Sequence, residues 1–101
     1  MERDGMTTFL TCNVSSGQFR DEYAVKAQAQ NGEFSLFAPE SCVKIREGDE
    51  VCAGQEKPGL LAVKLLESDE SRALVELPAQ AFENGNAVTV ARSQIQELNR
   101  G

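Results

Sequence analysis

The Asn31-Gly32 pair constrains the fold most, because it stands between two segments in which apolar and polar residues alternate. Alternation with a period of two is typical of a β-strand that has one buried face. The apolar residues of the first segment occupy odd positions: Tyr23, Val25, Ala27 and Ala29. Asn-Gly favours a tight hairpin turn, since both central residues of a type I′ turn need a positive φ. The region therefore predicts a β-hairpin whose second strand ends at Pro39.

A two-residue loop at Asn31-Gly32 decides which residues face each other across this hairpin. The predicted pairs are Gln30 with Glu33, Ala29 with Phe34, Ala27 with Leu36 and Val25 with Ala38. In this register every apolar residue of the two strands lies on one face. The other face carries Phe37, across from Lys26 and beside Ser35, and either exposes this ring or has it covered by another segment.

Three other regions alternate in the same way and predict strands over residues 6–14, 42–46 and 87–91. Their inward residues are Leu10, Cys12, Val14, Val43, Ile45, Val88 and Val90. Phe9 is expected on the other side of the first of these strands. Lys44 and Arg46 share the outer side of the second strand, where the acidic residues from Glu47 onward would cancel their field.

A second hairpin is predicted around residues 68–71, where a polar turn separates two apolar segments. An even loop would pair polar residues with apolar ones, whereas a three-residue loop pairs like with like. The odd loop sets Val63 and Leu65 against Leu77 and Val75, with Lys64 opposite Glu76. We therefore expect the odd loop.

The closing segment has the spacing of a helix-capping box, with Ser93 at an N-cap position and Gln96 three residues later. Ile95 and Leu98 would lie on one side of the single helical turn that follows. We expect this turn to plug one end of the sheet.

Together these segments predict an all-β fold of five to six short strands with a short C-terminal helical turn. A chain of 101 residues is long enough for one domain with one small core. Its strands close most economically into a small SH3-like or OB-like barrel or roll, because closure removes exposed strand edges. We expect a single domain over residues 1–101, with residues 1–5 disordered.

The composition argues against catalysis and against metal binding. The chain has no histidine, which removes the commonest metal ligand and the usual base beside a Ser or Cys nucleophile. Its acidic residues cluster at predicted turns, where carboxylates are solvated. Cys12, Cys42 and Cys52 lack a CxxC spacing, so we expect free thiols, with a disulfide between Cys42 and Cys52 as the alternative. The sequence predicts no enzyme, no metal and no cofactor.

Charge and hydropathy limit the compartment and the partners. Sixteen acidic against ten basic residues give a net charge of −6, which counts against nucleic acid and anionic membranes as main partners. No apolar run approaches the roughly 20 residues that span a bilayer, and the N-terminus lacks the pattern of a secretory signal. We expect a cytoplasmic location and no contact with a membrane.

The run from Ile45 to Val51 resembles short motifs of two families. Continued through Gly54-Gln55, it is similar to a turn of biotinyl and lipoyl carrier domains. Continued to Lys57-Pro58-Gly59, it is similar to the KOW motif of ribosome-associated and transcription-factor SH3-like barrels. The first resemblance would imply a modifiable lysine at a hairpin tip, and the second a basic RNA-binding surface; this chain has neither. Both imply a small barrel, and we assign no family.

One function that fits such a barrel is a non-enzymatic module that binds another protein, for example as an accessory subunit. Its candidate interaction surface consists of Phe37, Lys26 and Ser35. Phe82 is a further candidate contact, although we favour a role for it in filling one end of the barrel. A homodimer is compatible with so small a barrel, although no residue specifies it.

The alternative function is a single-stranded nucleic-acid-binding barrel. Phe37 would stack on a base, and the cations Lys26, Lys44 and Arg46 would contact phosphates. Such binding would weaken steeply with added salt, because its affinity comes from counterion release.

Overall fold

The computed structural model describes residues 6–17, 21–30, 32–45, 54–81 and 85–99. Eight strands occupy most of these ranges: β1 Met6–Ser16, β2 Glu22–Ala29, β3 Gly32–Pro39, β4 Val43–Ile45, β5 Lys57–Ser68, β6 Arg72–Ala81, β7 Gly85–Ala91 and β8 Ile95–Asn99. Two three-residue 3₁₀ turns, Glu40–Cys42 and Arg92–Gln94, precede β4 and β8. The predicted all-β class is confirmed. The predictions for residues 1–5, Arg46, Cys52 and Phe82 lie outside the described residues.

The strands form one curled antiparallel sheet in the order β3-β2-β1-β5-β6-β7, with β4 added to β5 and β8 added to β1. One edge of β1 is shared, because residues 6–10 pair with β8 and residues 13–16 pair with β2. The other edge of β1 pairs with β5 over residues 8–14. The sheet therefore curls around β1 and β5 into the half-open roll that the sequence predicts.

The core lies between the two ends of the curled sheet, where β3 packs against β6 and β2 against β7. Its largest fully buried side chains are Phe34, Leu10, Leu36, Leu61, Val14, Val25, Val75 and Val90. Each of them stands at an inward position of an alternating segment, so the period of two places the apolar face correctly in β1, β2, β3, β5, β6 and β7. No described polar or charged side chain is buried.

The register predicted for the first hairpin is wrong, although its faces are right. Ala27 pairs with Phe34 and Val25 with Leu36, so each residue of β2 faces a residue two positions earlier than predicted. The backbone N–H of Gln30 explains the shift, because it donates to the carbonyl oxygen of Thr89 in β7 at 2.8 Å and not to the hairpin ladder. A shift by two residues leaves every side chain on its own face.

The second hairpin combines the predicted register with a different turn. Lys64 pairs with Glu76 and Leu65 with Val75, as expected. Between Leu65 and Glu67 a β-bulge adds one residue to β5, which leaves the Leu66 side chain 42% exposed. The extra residue makes the loop even, and the N–H of Asp69 donates to the carbonyl oxygen of Arg72 at 2.9 Å. The predicted three-residue loop is therefore wrong at its tip.

The Asp69 carboxylate stabilises this two-residue turn. Its Oδ1 accepts hydrogen bonds from the backbone N–H groups of Ser71 at 2.9 Å and Arg72 at 2.8 Å. These bonds favour the ionised form, first the one from Ser71 and then the one from Arg72, and they lower the pKa of Asp69. Because the pKa of Asp69 is lower in the folded state than in the unfolded state, its ionised carboxylate stabilises the fold at pH values above the unfolded pKa. This stabilisation is lost as the pH falls through the folded pKa.

Asp69→Ala is expected to lower the melting temperature at pH 7 by a few degrees, because two turn N–H groups lose their acceptor. The difference from the native chain should shrink as the pH falls below about 4, where the native carboxylate becomes protonated as well. Asp69→Asn is the control, since its amide oxygen can still accept both bonds but does not titrate. Thermal melts between pH 2.5 and 7 measure this, and a difference that grows in acid would contradict it.

The closing segment is a strand where the sequence predicts a helical turn. Only Arg92–Gln94 is helical, as a 3₁₀ turn, and Ile95–Asn99 then pairs with the first half of β1. As a strand, this segment pairs with an edge of β1 that would otherwise lack a partner. It also packs Ile95 against the core. The described residues form eight strands, which exceeds the predicted five to six, and β8 is the strand for which the sequence predicts a helical turn.

The side-chain amide of Gln94 bridges two strand edges that are not paired with each other. Its Oε1 accepts a hydrogen bond from the N–H of Ala91 at the end of β7, at 3.0 Å. Its Nε2 donates to the carbonyl oxygen of Gln28 in β2, also at 3.0 Å. The amide thus imitates a peptide group, and with the bond from Gln30 to Thr89 it fastens β2 to β7.

Gln94→Glu is expected to lower the free energy of unfolding at pH 7 by about 1–2 kcal/mol, because a carboxylate cannot donate to the carbonyl of Gln28. Below about pH 4 the introduced carboxyl is protonated and can donate again, so the deficit should narrow. Urea unfolding at pH 7 and pH 3.5 measures both values. Gln96→Glu, which adds the same charge at an exposed position of β8, should cost little at either pH. Equal losses in the two variants would show that charge, and not the bridge, is responsible.

Candidate functional site

The register aligns two rows of side chains on the surface of the sheet that points away from the core. The first row crosses β3, β2, β1 and β5 and consists of Ser35, Lys26, Asn13 and Pro58. The second row crosses β4, β5 and β1 and consists of Lys44, Leu60 and Thr11. We call these seven residues, with Phe9 and Phe37 on the same side, the outer face.

The structure brings together the three described residues of the predicted interaction surface. Lys26 and Ser35 are direct cross-strand partners. Phe37 lies on the same face and is half-buried, but it pairs with Ala24 and not with Lys26, because the hairpin register differs from the predicted one.

Lys26 takes part in an ion pair that the sequence did not indicate. Its Nζ lies 3.3 Å from Oε2 of Glu56, and both side chains are nearly half exposed, at 45% and 46%. An exposed pair of this kind contributes little stability. It does offset the charge of Lys26, which weakens the role of this residue as a phosphate contact.

Lys44 is arranged differently. Its Nζ lies 6.0 Å from the centroid of the Phe9 ring, at the outer limit of a cation–π contact. It forms no salt bridge with any residue in the part of the chain that the structure describes. Lys44 is therefore a cation on the outer face whose charge no described carboxylate offsets.

A groove with a mainly apolar lining lies beside Lys44. Thr11, Lys44, Ile45, Pro58, Leu60 and Gln96 border it, and its volume is about 520 Å³. We call it the Lys44 groove. Ligand pockets usually have volumes of about 300–1,000 Å³ and combine an apolar lining with a few polar groups. The sequence did not indicate this groove, because its borders come from β1, β4, β5 and β8.

Cys12 lies at the base of the groove with its side chain against the core. Burial raises the pKa of its thiol to about 12. The thiol is therefore protonated at neutral pH and is a poor nucleophile. Cys12 and Cys42 are both free thiols, as expected.

Two further depressions have mainly polar borders. One, of about 320 Å³, lies beside the second hairpin tip and includes Asp69, Arg72 and Thr89. The other, of about 260 Å³, lies where β2 and β8 separate along β1 and includes Lys26, Glu33 and Gln94. Over the described ranges, no group of three or more Cys, Asp or Glu residues is placed to hold a metal ion.

No protein-family model, curated protein or solved structure matches this chain. Among the described residues, no helix has the length and apolar character needed to cross a membrane. The outer face and its groove are therefore interpreted from their own chemistry.

Proposed function

We propose that this chain is a non-enzymatic protein-interaction module, such as an accessory subunit, and that it binds its partner through the outer face. The observation that carries the proposal is the continuity of this surface. It runs across five neighbouring strands and joins half-buried aromatic rings at Phe9 and Phe37 to the apolar Lys44 groove. Protein-binding sites characteristically combine aromatic and apolar anchors with a polar rim.

The charges of the outer face favour a protein over a nucleic acid. Of the cations assigned to phosphate contacts, Lys26 is paired with Glu56, and Lys44 is the other one that the structure describes. Affinity for single strands depends on several uncompensated cations along the backbone. We therefore expect no filter retention of a labelled oligonucleotide at low salt. Retention that falls steeply with added salt would favour the nucleic-acid alternative.

Site-specific photo-crosslinking tests the proposal. A photoreactive amino acid at Asn13 would sit in the middle of the outer face, where this residue is exposed. The control position is Ala87, which is exposed on β7 on the far side of the core. In extract of the native cells, we expect a discrete protein adduct from position 13 and none from position 87. Identical adducts from both positions, or none from either, would overturn the proposal.

A further inference from the structure

We propose that the Lys44 groove receives a partner segment in which a large aliphatic side chain stands next to a carboxylate. This inference rests on the proposed function, because it names the chemistry of the partner at one part of the outer face. The aliphatic side chain would occupy the groove, and the neighbouring Asp or Glu would meet the ammonium group of Lys44.

The lining of the groove indicates that it accepts an aliphatic side chain. The Leu60 and Pro58 side chains lie on the outer side of β5, and Ile45 borders the groove from β4. Gly59 also borders the groove, between Pro58 and Leu60, and contributes only backbone atoms to it. A concave apolar surface beside a single polar group is the usual form of a pocket that accepts one anchoring side chain.

The charge of Lys44 indicates that the partner carries a carboxylate beside this side chain. No acidic residue borders the groove within the described part of the chain, and no described carboxylate pairs with Lys44. A carboxylate of the partner would complement this cation, whereas a lysine or arginine of the partner would be repelled by it.

The state of Cys12 agrees with a groove of low polarity. Its thiol lies below the groove and is neutral because burial disfavours the thiolate. Cys12 therefore adds no negative charge that would oppose an incoming carboxylate.

Capped tetrapeptides test the inference on the full chain. The probes are acetyl-Gly-Leu-Asp-Gly-amide and the two analogues with Asn or Lys in place of Asp. In NMR titrations, we expect the Asp peptide to shift the amide signals of Leu60 and Lys44 and to bind about three- to five-fold more tightly than the Asn peptide. The Lys peptide should bind most weakly. Equal affinity for the Asp and Asn peptides, shifts confined to other strands, or no binding of any peptide would overturn the inference.

Two lysine variants identify the source of the preference. Lys44→Gln should abolish the difference between the Asp and Asn peptides. Lys64→Gln is the matched control, because Lys64 is exposed on the same strand as Leu60 but is paired across strands with Glu76, and it should keep the difference. Unchanged preference in Lys44→Gln would overturn the inference, and the NMR spectrum of each variant shows whether it has folded.

The two proposals fail in different ways. If position 13 gives a protein adduct but the Asp and Asn peptides bind equally well, the proposed interaction module stands and the proposed chemistry of its partner is wrong. If the peptides bind at Leu60 but no protein adduct forms, the proposal of a protein-interaction module is wrong.

Discussion

Phe34→Ala should lower the free energy of unfolding by about 3–5 kcal/mol, the cost of emptying a phenylalanine site in a well-packed core. The Phe34 ring is fully buried and pairs with Ala27 across the hairpin, at a point where β3 packs against β6. Ala27 is too small to fill the cavity that the ring would leave. For a domain whose total stability is about 5–15 kcal/mol, this loss is a large fraction. Urea unfolding followed by far-UV circular dichroism measures it.

Phe37→Ala is the matched control for Phe34→Ala. The residue type and the strand are the same, but Phe37 lies on the outer face and is half-buried. We expect Phe37→Ala to lower the free energy of unfolding by less than half as much as Phe34→Ala, because the Phe37 side chain buries less apolar area. A cost equal to or greater than that of Phe34→Ala would show that the outer face is a second core and would also weaken the proposed function.

Gly59→Ala should destabilise the fold by about 1–3 kcal/mol, because the site has no room for a side chain. A Cβ atom at Gly59 would lie 2.7 Å from Cγ2 of Val14 and 3.1 Å from the carbonyl oxygen of Lys44. Val14 is fully buried and cannot move aside, and the carbonyl belongs to the backbone of β4. Thermal and urea unfolding of the single variant measure the loss.

A double-variant cycle shows whether the contact with Val14 causes this loss. Val14→Ala removes the methyl group that an added Cβ would meet, at the cost of some core burial. We expect Val14→Ala combined with Gly59→Ala to be more stable than the sum of the single losses by about 1 kcal/mol. The rescue should be partial, since the carbonyl of Lys44 stays in place. Strictly additive losses would mean that the Val14 contact is not the cause.

The candidate site was only partly predictable. That Phe37, Lys26 and Ser35 share a face follows from alternation in one hairpin, and the structure confirms it. The ion pair of Lys26 with Glu56 and the contact of Lys44 with Phe9 join residues about thirty or more positions apart. No local pattern signals such pairs. The Lys44 groove likewise exists only because four strands meet side by side.

In the alternating segments of β1, β2, β3, β6 and β7, the side-chain directions were readable from the local pattern, because the period of two in a strand is a property of the backbone itself. This is why the inward positions around Val25, Leu36 and Val90 were predicted correctly while exact pairings were not. Pairing depends on backbone groups that can bond to more than one strand. The N–H of Gln30 bonds to β7, and the last strand, Ile95–Asn99, takes an open edge of β1 in preference to a helical turn. The pairing in both places depends on hydrogen bonds between segments that are far apart in the sequence. Only the tertiary structure brings these segments together, so the local pattern cannot predict the pairing.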